Sequence, residues 1–240
     1  MKNITYIALI LGLSFCISCD FKTGVTGEGT VDEKTIELGK DFKSLSLANG
    51  WKVILKKADK NAIKIVANQN LIDLLTYKLE ESSLKIAAKN NIGNADSKEI
   101  TIFHSKKLGK IETGSGIKLS FDPSSINDTK LTLSLASGSL TKAQIKTDSL
   151  NLGLSSGANA NLNGSATFIN CIASSGSNVN AKKLNTKTAI IEASSGANIR
   201  IQVNNSLEAK ASSGGNITYT GTPKKLNKDT SSGGNITAAN

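Results

Sequence analysis

The 240-residue chain carries a net charge of +10, almost all of it lysine, with Arg200 as its single arginine; that scarcity, with aromatics at 4%, argues against a nucleic-acid reader, which relies on guanidinium forks and stacking rings. Only 38% of residues are apolar, and glycine (21) far outnumbers proline (2). This balance suits many thin layers of small and β-branched side chains better than one thick aromatic core. The lysines are scattered, as in LKKADK and HSKKLGK, and read as solvated faces and strand-edge protection. Weak attraction to an acidic polysaccharide or an anionic surface is the alternative.

Residues 1–19, MKNITYIALILGLSFCISC, have one early lysine, an apolar run too short for a comfortable membrane span, and small residues before a cysteine. They read as an export signal. Ser18 before Cys19 resembles a bacterial lipoprotein box, with Cys19 as the lipid-attachment residue; Cys16 departs from the leucine usual in that box. The alternative is an ordinary cleaved signal with two incidental cysteines. With Cys19 lipidated, Cys171 stands alone, so neither an internal disulfide nor a zinc spacing is available. Residues 20–34 are polar and glycine-containing and read as a tether. The expected location is the outer membrane or cell surface, held by lipid alone, with a periplasm-facing anchor as the other possibility.

Residues 35–240 are expected to form one domain. From about 35 to 110, alternating runs such as FKSLSLANGWKVILKK, NAIKIVAN, SSLKIAAK and EITIFHS predict strands. ANGWKVIL reads as a degenerate corner with Gly50 in the glycine role. LIDLLTYKLEE reads as a loop-to-strand passage rather than a helical turn. These strands are expected to make the first, less regular coils of one stack, and a separate small β domain is the alternative.

Residues 111–240 repeat. The glycine of each Ser-Gly pair falls at Gly116, Gly138, Gly157, Gly176, Gly196, Gly214 and Gly233, in steps of 22, 19, 19, 20, 18 and 19. A period near twenty predicts a solenoid. Counting back seven, five and three from successive glycines gives Leu131, Leu133 and Leu135; Leu150, Leu152 and Leu154; Ile169, Cys171 and Ala173; Ala189, Ile191 and Ala193; Leu207, Ala209 and Ala211. Counting forward three and five gives Val179 and Ala181, Ile199 and Ile201, Ile217 and Tyr219. Both patterns are those of strands with one buried face. Each coil therefore reads as strand, corner, strand and a loop such as NGSAT or AKKLNTKT, stacked as an all-β, parallel β-helix-like solenoid. Cys171 falls in an inward column as a small hydrophobe. In the final coil the inward positions hold Leu226, Lys228 and Thr230, as expected of a capping coil.

The phrase Ser-Ser-Gly-x-Asn is the structural signature. Glycine supplies positive φ at the corner, and asparagine is the other residue that tolerates the left-handed region. The expected corner ladder comprises Ser156, Gly157 and Asn159; Ser175, Gly176 and Asn178; Ser195, Gly196 and Asn198; Ser213, Gly214 and Asn216; and Ser232, Gly233 and Asn235. Stacked asparagines are expected to hydrogen-bond along the column, with a parallel column of hydroxyls from the second serines. A repeated polar ridge that grips sugar hydroxyls is the functional reading of the same residues.

FKSLSLANGWKVIL, LKIAAK, IETGSG and the serial SSGGNI together resemble the head-GIN auto-transporter adhesin family, over roughly residues 40–235. The resemblance implies a β-helix-like fold and an exported, often lipid-anchored protein, and it brings no catalytic motif.

An enzyme would need chemistry that is scarce here. Glycoside hydrolysis takes two carboxylates at a defined separation. After Gly114 the acids are Asp122, Asp128, Asp148, Glu192, Glu208 and Asp229, single and at different repeat offsets. The lone histidine, His104, reads as a surface or strand-end residue, and a serine without a base is not a nucleophile. The corners carry asparagine where calcium-binding β-roll repeats carry aspartate. The expectation is therefore a non-catalytic cell-envelope lipoprotein, with no catalytic residue, metal or cofactor. As an adhesin it would bind a glycan, a matrix component or an envelope protein, and no nucleic acid. An envelope scaffold of roughly ten coils, about 50 Å long, is the second reading, and a polysaccharide-active enzyme a remote third. The candidate sugar-stacking rings are few: Trp51, Tyr77 and Tyr219.

Overall fold

Side chains that alternate in hydrophobicity can bury one face only if strands lie against one another. In the computed structural model, which describes residues 24–123 and 127–239, they do so by stacking. The first half contains β1 (Val31–Glu37), β2 (Ser44–Leu47), β3 (Lys52–Lys57), β4 (Ala62–Asn68), α1 (Gln69–Leu74), β5 (Leu75–Glu80), β6 (Ser83–Ala88), β7 (Lys98–His104), β8 (Lys110–Thr113) and β9 (Lys118–Phe121). The second half contains β10 (Asn127–Leu135), β11 (Leu140–Leu154), β12 (Asn159–Ala173), β13 (Asn178–Ala193), β14 (Asn198–Ala211), β15 (Asn216–Thr220), β16 (Lys225–Thr230) and β17 (Asn235–Ala238).

The result is a parallel β-solenoid of about seven turns, with stacked strands about 19 residues apart. In the register, Leu133, Leu152, Cys171, Ile191 and Ala209 lie over one another, and Lys228 ends the column. On the far side of the corner a second column runs Leu119, Thr141, Ala160, Val179, Ile199, Ile217 and Ile236. Every inward residue counted from Gly138 to Gly214 is buried. The interior is not wholly apolar: Thr113, Ser139, Thr147, Ser177 and Thr186 are buried in it, and so is Thr141, whose hydroxyl lacks a hydrogen-bond partner in the midst of the second column.

NGSAT and AKKLNTKT are not loops. β12 and β13 run through them, because the chain bends without leaving the ladder. Gly164 makes one bend with φ of 105°, and a Cβ there would collide with the Ile145 carbonyl of the preceding coil.

The first half joins the same stack, but not in chain order. β2 lies between β6 and β8, and β3 lies between β7 and β9. The coil of residues 83–104 therefore sits outside the coil of residues 44–57. Antiparallel strands close this end: β5 pairs with β6, β4 with β7, and β1 with β4. LIDLLTYKLEE does contain a helical turn, α1, held because Leu71 and Ile72 are buried. Rungs β2 and β6 extend the column of seven from β8 to β16 to nine, which span roughly 38 Å at about 4.8 Å per step, close to the ten coils expected.

The tether reading of residues 20–34 fails from Gly24 onward. Val25 bridges to Ile92, and Glu28 donates its backbone N–H to Asn70 Oδ1 at 2.9 Å. The Asn68 side chain donates to the Gly29 carbonyl at 3.0 Å, and β1 starts at Val31. Polar composition suggested a linker, but the partners of these backbone groups are supplied by residues far along the chain, among them Asn68 at the end of β4 and Asn70 in α1. The signal segment and Cys19 lie outside the described residues.

These assignments predict the effect of two lysine substitutions. Leu152→Lys puts a charge into a 2%-exposed slot and should remove cooperative unfolding, at a cost comparable to a domain's whole stability of about 5–15 kcal/mol. Asn161→Lys, on an exposed outward position, should shift stability by about 0.5 kcal/mol or less in urea unfolding.

Candidate functional site

A corner is fixed by two consecutive left-handed residues, and they are serine and glycine rather than glycine and asparagine. Ser156 has φ of 51° and Gly157 of 72°. Ala158 N–H donates to the Ser155 carbonyl at 3.1 Å, closing a turn of the I′ kind. Ser175, Ser195, Ser213 and Ser232 repeat the conformation before Gly176, Gly196, Gly214 and Gly233. Only in the earliest corner does asparagine take it, as Asn49 before Gly50. Elsewhere the asparagine begins the next strand. Its amide faces outward and caps the corner: Asn159 Nδ2 donates to the Gly157 carbonyl at 2.9 Å, and Asn216 Nδ2 to Gly214 at 3.0 Å.

The asparagines also meet along the stack. Asn178 Nδ2 donates to Asn159 Oδ1 at 3.3 Å, and Asn198 Nδ2 to Asn178 Oδ1 at 3.2 Å. Asn216 and Asn235 make no such side-chain link among the described residues. The second serines are exposed, and among the described residues their hydroxyls form no ladder. They are joined by backbone instead: Gly157 N–H donates to the Ser175 carbonyl, and Gly176 N–H to that of Ser195, both at 3.0 Å.

The x of the phrase points inward, which the sequence reading missed. Trp51, Ile117, Ser139, Ala158, Ser177, Ala197 and Gly215 successively occupy this slot, and all are buried. The signal was present as a residue that is always small once the Ser-Gly corners are established. At Gly215 a Cβ would collide with the Ala193 carbonyl. The corner is thus a packed edge of the core with a thin polar rim, and the rim is too uniform to select a ligand.

The outward face that follows the corner is more distinctive. Lys142, Asn161, Asn180 and Arg200 lie abreast on successive rungs, with Gln144, Asn163 and Lys183 in the next column. Between β13 and β14 the register jumps from Ala181–Ile201 to Asn185–Gln202, so Lys182, Lys183 and Leu184 have no partners in β14. This bulge turns Leu184 inward and leaves two consecutive lysines outward. Beside it is an open groove of about 520 Å³, with Phe121 and Pro123 on the β9 side and the side chains of Ala143 and Leu162 buried beneath it. Lys142, Lys182 and Lys183 line it and make no ion pair among the described residues.

The outward face that precedes the corner carries the partly buried Phe168 and the exposed Ile172 and Ile190. Of the candidate stacking rings, Trp51 is wholly buried and Tyr219 nearly so, under Lys228 at 5.2 Å, because both fill inward slots of the columns. Only Tyr77 is exposed. His104 ends its strand but is buried, not on the surface, with Nδ1 2.9 Å from the Lys106 carbonyl. Glu192 and Glu208 point outward as expected, on an open face where Lys210 stands abreast of Glu192. Among the described residues no group of three or more His, Cys, Asp or Glu could hold a metal ion.

Together these features define a β-solenoid whose outward faces, not its interior, are available for contact. The sequence matches, over residues 41–223, the family described as "Putative auto-transporter adhesin, head GIN domain", and the chain belongs to that family. Its fold recurs in a "putative adhesin" from Bacteroides fragilis at 16% identity and a TM-score of 0.81, covering 90% of this chain and 100% of that one. A "putative adhesin" from Parabacteroides merdae and a "putative lipid binding protein" from Parabacteroides distasonis each give 16% identity and a TM-score of 0.71, covering 90% of this chain and 99% of theirs. A search of curated proteins finds no match.

Two measurements probe this geometry. Asn178, which both donates and accepts along the column, should cost about 1 kcal/mol when changed to alanine, whereas Asn180→Ala should fall within about 0.5 kcal/mol in denaturant titrations. Burial pushes the Cys171 thiol up to about 12. At pH 8, peptide mapping should find Cys171 unalkylated by iodoacetamide in the native chain and fully modified in denaturant. The shift is upward, so its stabilising contribution is complete below the ordinary value of 9.0 and is lost as pH rises towards 12.

Proposed function

We propose that this chain is a non-catalytic binding module of the cell envelope, an adhesin that holds its ligand on the outward face bearing the lysine-flanked groove. Family membership suggests a cell-surface or secreted protein. The observation that carries the reading is the groove: it lies where the repeat departs from uniformity and gathers unpaired lysines beside outward amides. A ligand site built this way binds through hydrogen bonds and shape, without a general base or nucleophile. Cys19 anchors the module by lipid. No helix among the described residues is long and apolar enough to cross a membrane.

The test is binding of the purified chain to immobilised glycans and to matrix and envelope proteins, with calcium and with chelator. Saturable binding that survives 0.15 M salt, where the Debye length is about 8 Å, is the expected result. A blank across all surfaces, or signals that vanish with salt, would overturn the adhesin reading. Labelled fatty acid should enter the wild-type chain in its host and not the Cys19→Ala variant.

A further inference from the structure

We infer that the groove is a subsite for an acidic polysaccharide, one whose sugar rings carry carboxylate or sulfate groups. The inference rests on the adhesin reading and gives its ligand a chemical class. The groove spans four rungs, β9, β11, β12 and β13, or about 14 Å at the usual strand spacing. That length takes a short run of sugars laid across the strands.

Two features select the ligand. The positive charge is local: Lys142 stands on one side and the Lys182–Lys183 bulge on the other, and no carboxylate of the described residues lines the space between. An anion entering there meets three ammonium groups that are not already neutralised. The carboxamides of Gln144, Asn161 and Asn180 stand between the lysines, and each offers both donor and acceptor to hydroxyls.

Other polyanions fit less well. A single strand of nucleic acid needs exposed rings for its bases, and Phe121, the groove's aromatic, is only 8% exposed. A membrane surface needs exposed apolar side chains beside the charge, and Ile172 and Ile190 lie on the other outward face. The bulge supplies the specificity device. The 20-residue step from Gly176 to Gly196 lodges its extra length where two adjacent lysines can both face out, which a regular strand forbids.

The experiment is calorimetric titration of the purified full-length chain with polygalacturonate, heparin and neutral dextran at several salt concentrations. The variants are Lys142→Gln/Lys182→Gln/Lys183→Gln and a control of equal charge change, Lys43→Gln/Lys89→Gln/Lys225→Gln, on exposed positions away from the groove. Circular dichroism melts confirm that both variants fold. The expected result is binding of at least one acidic polymer and not of dextran, weakened at least tenfold by the groove variant, with a shallower salt dependence, and less than twofold by the control. Preference for polygalacturonate assigns carboxylate as the recognised group, and preference for heparin assigns sulfate. Equal weakening by both variants would mean bulk charge and overturn the inference. Binding of dextran but not of the acidic polymers would overturn it while leaving the adhesin reading in place. No binding to any of the three overturns it as well, and the matrix and envelope proteins then decide the adhesin reading separately.

Discussion

The structure depends on one constraint: each coil's backbone hydrogen bonds are completed by the coils above and below it. A parallel ladder that continues around a corner requires every coil to follow the same path, because a mismatch would leave buried peptide groups unpaired. The corner is where this requirement is most severe. A left-handed serine and a left-handed glycine turn the chain within a few residues, and the glycine N–H then reaches the serine carbonyl of the next coil. The repeated phrase is the chemical record of that geometry. Asparagine beyond the corner caps the glycine carbonyl, and the inward x residue closes the core at the bend.

A ladder has two ends, and they are treated differently. At the first, chain order and stacking order part, and antiparallel strands with one helical turn cover the exposed rung. At the last, β16 is exposed throughout and places Lys228 and Thr230 where earlier coils hold apolar residues. Charge at an open edge discourages pairing with another chain. Within the stack, the departures from regularity are informative in another way. A bulge must direct its extra residues somewhere, and here it directs lysines beside the amides of neighbouring rungs.

The same constraint explains why the fold persists at 16% identity to solved relatives. Corner residues and inward slots are limited by backbone geometry and by space, but an outward side chain on an open face is limited by neither. Outward positions can therefore diverge without loss of the fold. A relative's described ligand accordingly says little about this chain's own, and the binding reading has to be argued from the residues on this surface.

The sequence by itself determined the coil length, the inward columns and the corners, because these repeat and a repeated physical demand leaves a repeated spelling. Leu152, Cys171 and Ile191 were readable as core from alternation alone. The resemblance of the same motifs to the head-GIN family was readable as well. Tertiary structure alone decided the order of the first coils, since β-strand patterns do not state which strand lies beside which. It decided that serine, not asparagine, takes the left-handed position, because the asparagine amide has a better use outside the turn. It decided the burial of Trp51, Tyr219 and His104, whose types suit either surface or core. The groove was hidden for a related reason: Lys142 and Lys183 are 41 residues apart, and only the stacking of coils and the slip of register at one bulge bring them to the same face.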